Sequence, residues 1–140
     1  MGFFKQLLVG VVLVVMAECP LSGQQESKAP QEFDGARPHC YKKTAEGELY
    51  LYVFQPQKGR QRNRPAAVFF FGGGWNGGTP EQFAEHASYL ASRGMVGIVA
   101  DYRVKKRQGT SPFECVKDGK SAIRWVRAHA GDLGIDPARI

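Results

Sequence analysis

The sequence predicts an α/β fold with a mostly parallel sheet, and three observations carry that prediction. Residues 66–71 (AAVFFF) and 95–100 (MVGIVA) are short, fully apolar runs, as strands covered on both faces must be. Each is followed by an amphipathic helical pattern that opens on capping residues. A β-rich pair of segments precedes both, so the order is hairpin, strand, helix, strand, helix. The bulk properties agree with one globular domain: 140 residues, 43% hydrophobic, formal charge +6. The 17 glycines and 8 prolines have no three-residue period, which excludes a collagen-like chain.

In chain order, residues 1–23 have the form of a secretory signal peptide. Lys5 supplies a positive start, residues 7–16 (LLVGVVLVVM) an apolar core, and Ala17 to Gly23 are mostly small or polar. The run is too short to span a bilayer, which takes ~20 residues. Glu18 before Cys19 fits poorly the small residue that lipid attachment requires, so the expectation is export, periplasmic or secreted, without a membrane anchor. Residues 24–40 are expected to be a linker. Residues 41–44 (YKKT) and 49–54 (LYLYVF) form the hairpin around Ala45, Glu46, Gly47 and Glu48, and residues 55–65 form a basic, solvated loop.

After the strand at 66–71, Thr79 is a suitable N-cap and Pro80 sits at the first helical position, where its missing N–H costs nothing. Phe83, Ala84, Ala87, Leu90 and Ala91 share one face of that helix, and Gly94 stops it. The second strand, 95–100, ends in Asp101-Tyr102-Arg103. Ser111 and Glu114 then form a capping box around Pro112. Phe113, Val116, Ile123, Val126 and Ala130 are the expected buried stripe of a long helix running to Gly131, and Ile140 is expected to open a third apolar strand.

The glycine-rich stretch at 72–78 (GGGWNGG) invites functional readings. As a permissive turn alone it would carry a large backbone-entropy cost for no return. Gly72, Gly74 and Gly77 satisfy G-x-G-x-x-G, with Asp101 near the place of a ribose-binding acid, so a dinucleotide site is one alternative. Against it, Trp75 stands where a pyrophosphate must approach, and Thr79-Pro80 starts the helix beyond the glycines. The other alternative is an oxyanion hole, in which bared backbone N–H groups stabilise the negative oxygen of a tetrahedral acyl intermediate.

Four motifs in order, Phe69 to Trp75 (FFFGGGW), Asp101-Tyr102-Arg103, Ala122 to Arg127 (AIRWVR) and Leu133 to Pro137 (LGIDP), resemble α/β-hydrolase esterases. The similarity is to the hormone-sensitive-lipase-like and the feruloyl- or acetyl-esterase-like branches. Residues 41–140 would be the N-terminal part of such a domain, ending before its nucleophile elbow. The resemblance implies a serine carboxylesterase for short acyl esters, acetyl or feruloyl groups on polysaccharide among them, working through an acyl-enzyme and needing no cofactor. It implies that Gly73 and Gly74 donate their N–H groups to the oxyanion, that Trp75 walls the acyl pocket with Gly72 beside it, and that Tyr102, Arg103 and Asp118 are structural, with Arg103 pairing Asp118. Phe71 departs from the pattern, since many members carry His there.

The remaining machinery of such an enzyme is missing from these positions. Gly119-Lys120-Ser121 mimics both an elbow and a P-loop ending, but it lies within the long helical pattern rather than on a strand-to-helix turn. His39, His86 and His129 have no serine and acid in the required order. A non-catalytic module therefore stays open beside the esterase. Cys40 and Cys115 are read as free thiols, and no Cys or His pair has zinc spacing. Lys105-Lys106-Arg107 lacks interleaved aromatics, so a solvated surface is expected rather than a nucleic-acid contact.

Overall fold

A computed structural model describes residues 31–57 and 62–140. The expected signal peptide and the first part of the linker lie outside the described residues. The elements are β1 (Ala36–Thr44), β2 (Gly47–Phe54), β3 (Ala66–Phe70), α1 (Ala84–Ser92), β4 (Val96–Ala100), α2 (Lys105–Gln108), α3 (Pro112–Ala128) and α4 (Ala130–Leu133). A 3-10 turn, Pro80–Phe83, leads into α1. No described helix is long and apolar enough to cross a membrane.

The four strands form one mixed sheet in the order β1-β2-β4-β3. β1–β2 and β2–β4 are antiparallel, and β3–β4 is the parallel pair that the strand–helix–strand pattern predicts. Alternation along β2 and β4 makes the sheet two-sided. Leu49, Leu51, Val53, Val96, Ile98 and Ala100 face one side and pack with Ala122, Val126, Ala130, Leu133 and Ile135 from α3 and beyond. Tyr52, Phe54 and Val99 face the other and pack with Ala87 and Ala91 of α1. α1 lies so close to β4 that a Cβ on Gly97 would stand 2.2 Å from the Ala87 carbonyl oxygen.

Three expectations are corrected here. β1 begins at Ala36, so residues 36–40 belong to the sheet and not to the linker expected up to Cys40. Pro38 is tolerated because β1 is an edge strand, where a missing N–H breaks no ladder on the open side.

The buried stripe of α3 is Cys115, Asp118, Ala122 and Val126. Phe113 and Val116 are instead exposed, at 76% and 49%. Asp118 competes successfully for a core position because Arg103 and Lys42 neutralise it there.

The long helix ends at Ala128, capped by His129, and the left-handed stop falls at Gly134 (φ 67°) rather than at Gly131. Beyond it, Ile135 bridges Arg64 in parallel, and the Ala66 N–H donates to the Arg139 carbonyl. Ile140 is partly buried and packs against the core.

Candidate active site

β3 and β4 run parallel with Phe70 beside Ala100, so both leave the sheet at the same edge. The glycine stretch and Asp101-Tyr102-Arg103 are therefore neighbours in space. Phe71, Tyr102, Val104 and Cys115 form a small apolar cluster beneath them.

The loop is held from several sides. Tyr102 donates its hydroxyl proton to the Phe71 carbonyl, and the two rings stack with centroids 4.1 Å apart. The Arg107 guanidinium lies 5.5 Å from the Phe71 ring centre and forks onto Asp101 at 2.6 and 3.2 Å. The Gly72 N–H donates to the Gln82 side-chain oxygen at 2.6 Å. Further along, the N–H groups of Lys105 and Lys106 donate to the carbonyls of Trp75 and Asn76 at 3.0 and 2.8 Å. The Asn76 N–H closes the turn onto the Gly73 carbonyl at 3.0 Å.

This path demands glycine at two points. Gly73 has φ 137°, and a Cβ there would lie 2.2 Å from the Gly77 carbonyl oxygen. Gly78 has φ 107°, and its Cβ would strike the Gly72 carbonyl oxygen at 2.4 Å. Trp75 is the non-glycine residue that pays for the turn, with φ 60° and 52% of the residue exposed.

Among the described residues, neither the Gly73 nor the Gly74 N–H has an acceptor, and both residues are exposed. Two adjacent donors on a pinned loop can bind a negatively charged oxygen. Gly72 cannot join them through its amide, which Gln82 occupies. Beside Gly74 and Trp75 opens a pocket of about 400 Å³, lined also by Lys105, Thr110 and Ser111.

Behind the loop sits a charged cluster. Asp118, 0% exposed, accepts from Arg103 through Nε at 2.8 Å, Nη2 at 2.9 Å and the backbone N at 3.2 Å. Lys42 donates to it at 2.6 Å, and Arg103 also reaches Glu46 at 2.9 Å. The Arg103–Asp118 pair that the resemblance implied is thus present. Burial pushes the Asp118 carboxyl up, but the hydrogen bonds from Arg103 and Lys42 outweigh it and hold the group below its usual range. Asp118 in turn raises the Arg103 guanidinium above its ordinary value. Burial raises the Cys115 thiol, which donates to the Arg103 carbonyl at 2.9 Å and so packs as a protonated group. Cys40 and Cys115 are both free.

The decoys fall where helical spacing put them. Ser121 lies inside α3 and donates to the Lys117 carbonyl at 2.9 Å. His129 stacks on Trp125 at 3.9 Å, His39 lies on the same indole at 5.4 Å, and His86 packs against Phe83 and Phe69. Each is occupied with aromatic neighbours. The dinucleotide alternative loses its acid, since Asp101 is taken by Arg107, and its open turn, since Asn76 closes onto Gly73. Among the described residues no three His, Cys, Asp or Glu side chains gather to hold a metal ion.

Gln82 is the residue that sequence reasoning missed. Its signal was the Thr79-x-x-Gln82 spacing of a capping box, but the side chain serves the glycine loop instead of the Thr79 amide.

A parallel strand pair ending in an amide-baring glycine loop, with a tyrosine anchor from the next strand, defines the N-terminal part of an α/β-hydrolase esterase fold. Residues 51–140 match the BD-FAE family, and the chain belongs to it. A solved relative, the propionate-bound esterase Est2 of the planctomycete Thermogutta terrifontis, superposes with a TM-score of 0.75 at 49% identity, covering 79% of this chain and 41% of that one. Carboxylesterase NlhH of Mycobacterium tuberculosis is 31% identical over 95 residues, 66% of this chain and 28% of its own length. Fumonisin B1 esterase of Sphingopyxis macrogoltabida is 26% identical over 110 residues, 69% of this chain and 20% of its own. The chain thus spans less than half the length of each of these relatives.

Proposed function

We propose that these residues form the oxyanion-binding part of an exported serine carboxylesterase acting on short acyl esters, acetyl or feruloyl groups on polysaccharide included. The observation that carries the reading is the pair of acceptor-free N–H groups of Gly73 and Gly74 on a loop locked by Gln82, Tyr102 and the backbone of Lys105 and Lys106. The esterase relatives support the same class of chemistry.

In the mechanism this implies, a serine hydroxyl attacks the ester carbonyl while a histidine takes its proton. The carbonyl oxygen becomes an alkoxide as the tetrahedral centre forms. Donors aimed at that oxygen interact more strongly with the transition state than with the neutral carbonyl, and each is worth on the order of 3 kcal/mol of barrier. Collapse expels the alcohol, water repeats the cycle, and the acid is released. Because Gly73 and Gly74 are pinned before substrate arrives, little reorganisation is required as charge develops. Trp75 would wall the acyl side. The serine, acid and histidine would come from residues outside those described, in the chain order Ser, acid, His.

The test reads the coding DNA past Ile140 and assays p-nitrophenyl acetate with the 140-residue chain and with the protein carried to the end of that frame. The extended protein should show a p-nitrophenol burst and turnover, with the 140-residue chain silent. A downstream frame without G-x-S-x-G in the next strand's length, or an extended protein that is inert, would contradict the proposal.

A further inference from the structure

We propose that the pocket beside Trp75 seats a sugar unit of the ester substrate and favours one that carries a carboxylate among hydroxyls, of the uronic-acid type found in acidic polysaccharides. The proposal takes its place in a reaction from the esterase reading above, but it rests on the pocket's own chemistry. The pocket, about 400 Å³, is large enough for one sugar ring and shares Gly74 and Trp75 with the loop that bares the two donors.

Three features of its wall point to the ligand. Trp75 is half exposed at the rim, and its backbone is fixed by φ 60° and by the Lys105 N–H on its carbonyl at 3.0 Å. An exposed indole on a held backbone is a platform for the apolar face of a sugar.

Asn76 adds an amide to the same wall.

The charge comes from Lys105, which lines the pocket and has no acidic partner among the described residues. The acids near it in the chain are already engaged, Asp101 by Arg107 and Glu114 by Ser111 and Lys117. An unneutralised ammonium beside a hydroxyl-directed amide selects an anion over a neutral sugar of the same shape.

The experiment titrates the 140-residue chain with sodium methyl β-D-glucuronide and, separately, with methyl β-D-glucoside, following amide and indole N–H signals by NMR. The glucuronide should shift the Trp75 indole and the amides of Asn76, Lys105 and Thr110 saturably, leaving the Trp125 indole in place. Because the pair is exposed to solvent, its preference over the glucoside should be about fivefold, shrinking as salt rises. Lys105→Met should abolish the preference, and Lys120→Met, on the exposed face of α3, should keep it. Equal affinity for both sugars, no shift from either, or an intact preference in Lys105→Met would overturn the proposal. The esterase reading is scored apart from this, by ester turnover in the extended protein. Glucuronide binding without turnover would support the pocket assignment and sink the enzyme; turnover with no charge preference would do the reverse.

Discussion

Replacing Asp118 by alanine removes the one carboxylate that α3 contributes to the protein interior. The group is 0% exposed and accepts four hydrogen bonds, three from Arg103 and one from Lys42. Deleting one side of a buried ion pair costs about 3–5 kcal/mol, because the surviving charge stays desolvated. Here the lower end applies. Arg103 keeps Glu46 at 2.9 Å, and the Lys42 side chain, 26% exposed, can turn to water. The expected loss is thus about 3 kcal/mol, or about 12 °C in Tm at about 4 °C per kcal/mol for a domain of this size. Urea unfolding followed by Trp125 fluorescence measures it. The pH dependence adds a second readout. Asp118 is held below its ordinary value of 3.8, so its contribution is complete above that value and is lost as pH falls through the lower folded one. The wild-type chain should show that acid-side loss and Asp118→Ala should not. A cost under about 1 kcal/mol, with the acid slope unchanged, would refute the assignment of the cluster as the brace of this edge of the sheet.

Other outcomes follow from single contacts. Gly97→Ala forces a methyl to within 2.2 Å of the Ala87 carbonyl oxygen, so α1 must move off β4 at about 1–3 kcal/mol; an unchanged melting temperature would contradict so close an approach. Burial, Arg37 and His129 hold His39 below its ordinary value of 6.5, which favours the neutral ring in the folded chain. Stability should therefore rise with pH up to about 6.5 and level off above it, and His39→Gln should flatten that rise in urea midpoints taken across the range. Gly73→Ala collides with the Gly77 carbonyl at a φ of 137°, so the amide signals of residues 72–78 should shift while those of the Trp125 region stay fixed. If the loop signals do not move, the turn is looser than the contacts require.

Much of this architecture was legible because apolar runs, caps and glycines agree locally with the fold. The strands at β3 and β4 announced themselves as unbroken apolar runs, and Ser111 with Glu114 marked the start of α3 by the capping box that forms there. The failures have a common physical root, since hydrophobicity alone could not see a polar residue made acceptable by its partners. Asp118 turns the inward face of α3 away from Phe113 and Val116 because Arg103 and Lys42 come from distant parts of the chain. Residues 36–40 look like a linker because an edge strand needs apolar side chains on only part of one face, and Pro38 can sit there. At the site, the glycine pattern marked the loop, and among its amides those of Gly73, Gly74, Trp75 and Gly78 have no acceptor among the described residues. What the pattern could not disclose was the bracing. Gln82 and Tyr102 reach the loop across 10 and 31 residues of chain, contacts that exist only once β3 and β4 lie side by side.

The central claim is that the backbone amides of Gly73 and Gly74 receive the negative oxygen of an acyl transition state. Side-chain substitution cannot remove a backbone N–H cleanly, so the direct measurement is NMR on the protein carried to the end of its reading frame. After reaction with an alkyl phosphonate, whose tetrahedral oxyanion stands in for the intermediate, both amide protons should move downfield and exchange more slowly with water. An adduct that forms while both signals keep their positions and exchange rates would contradict the account.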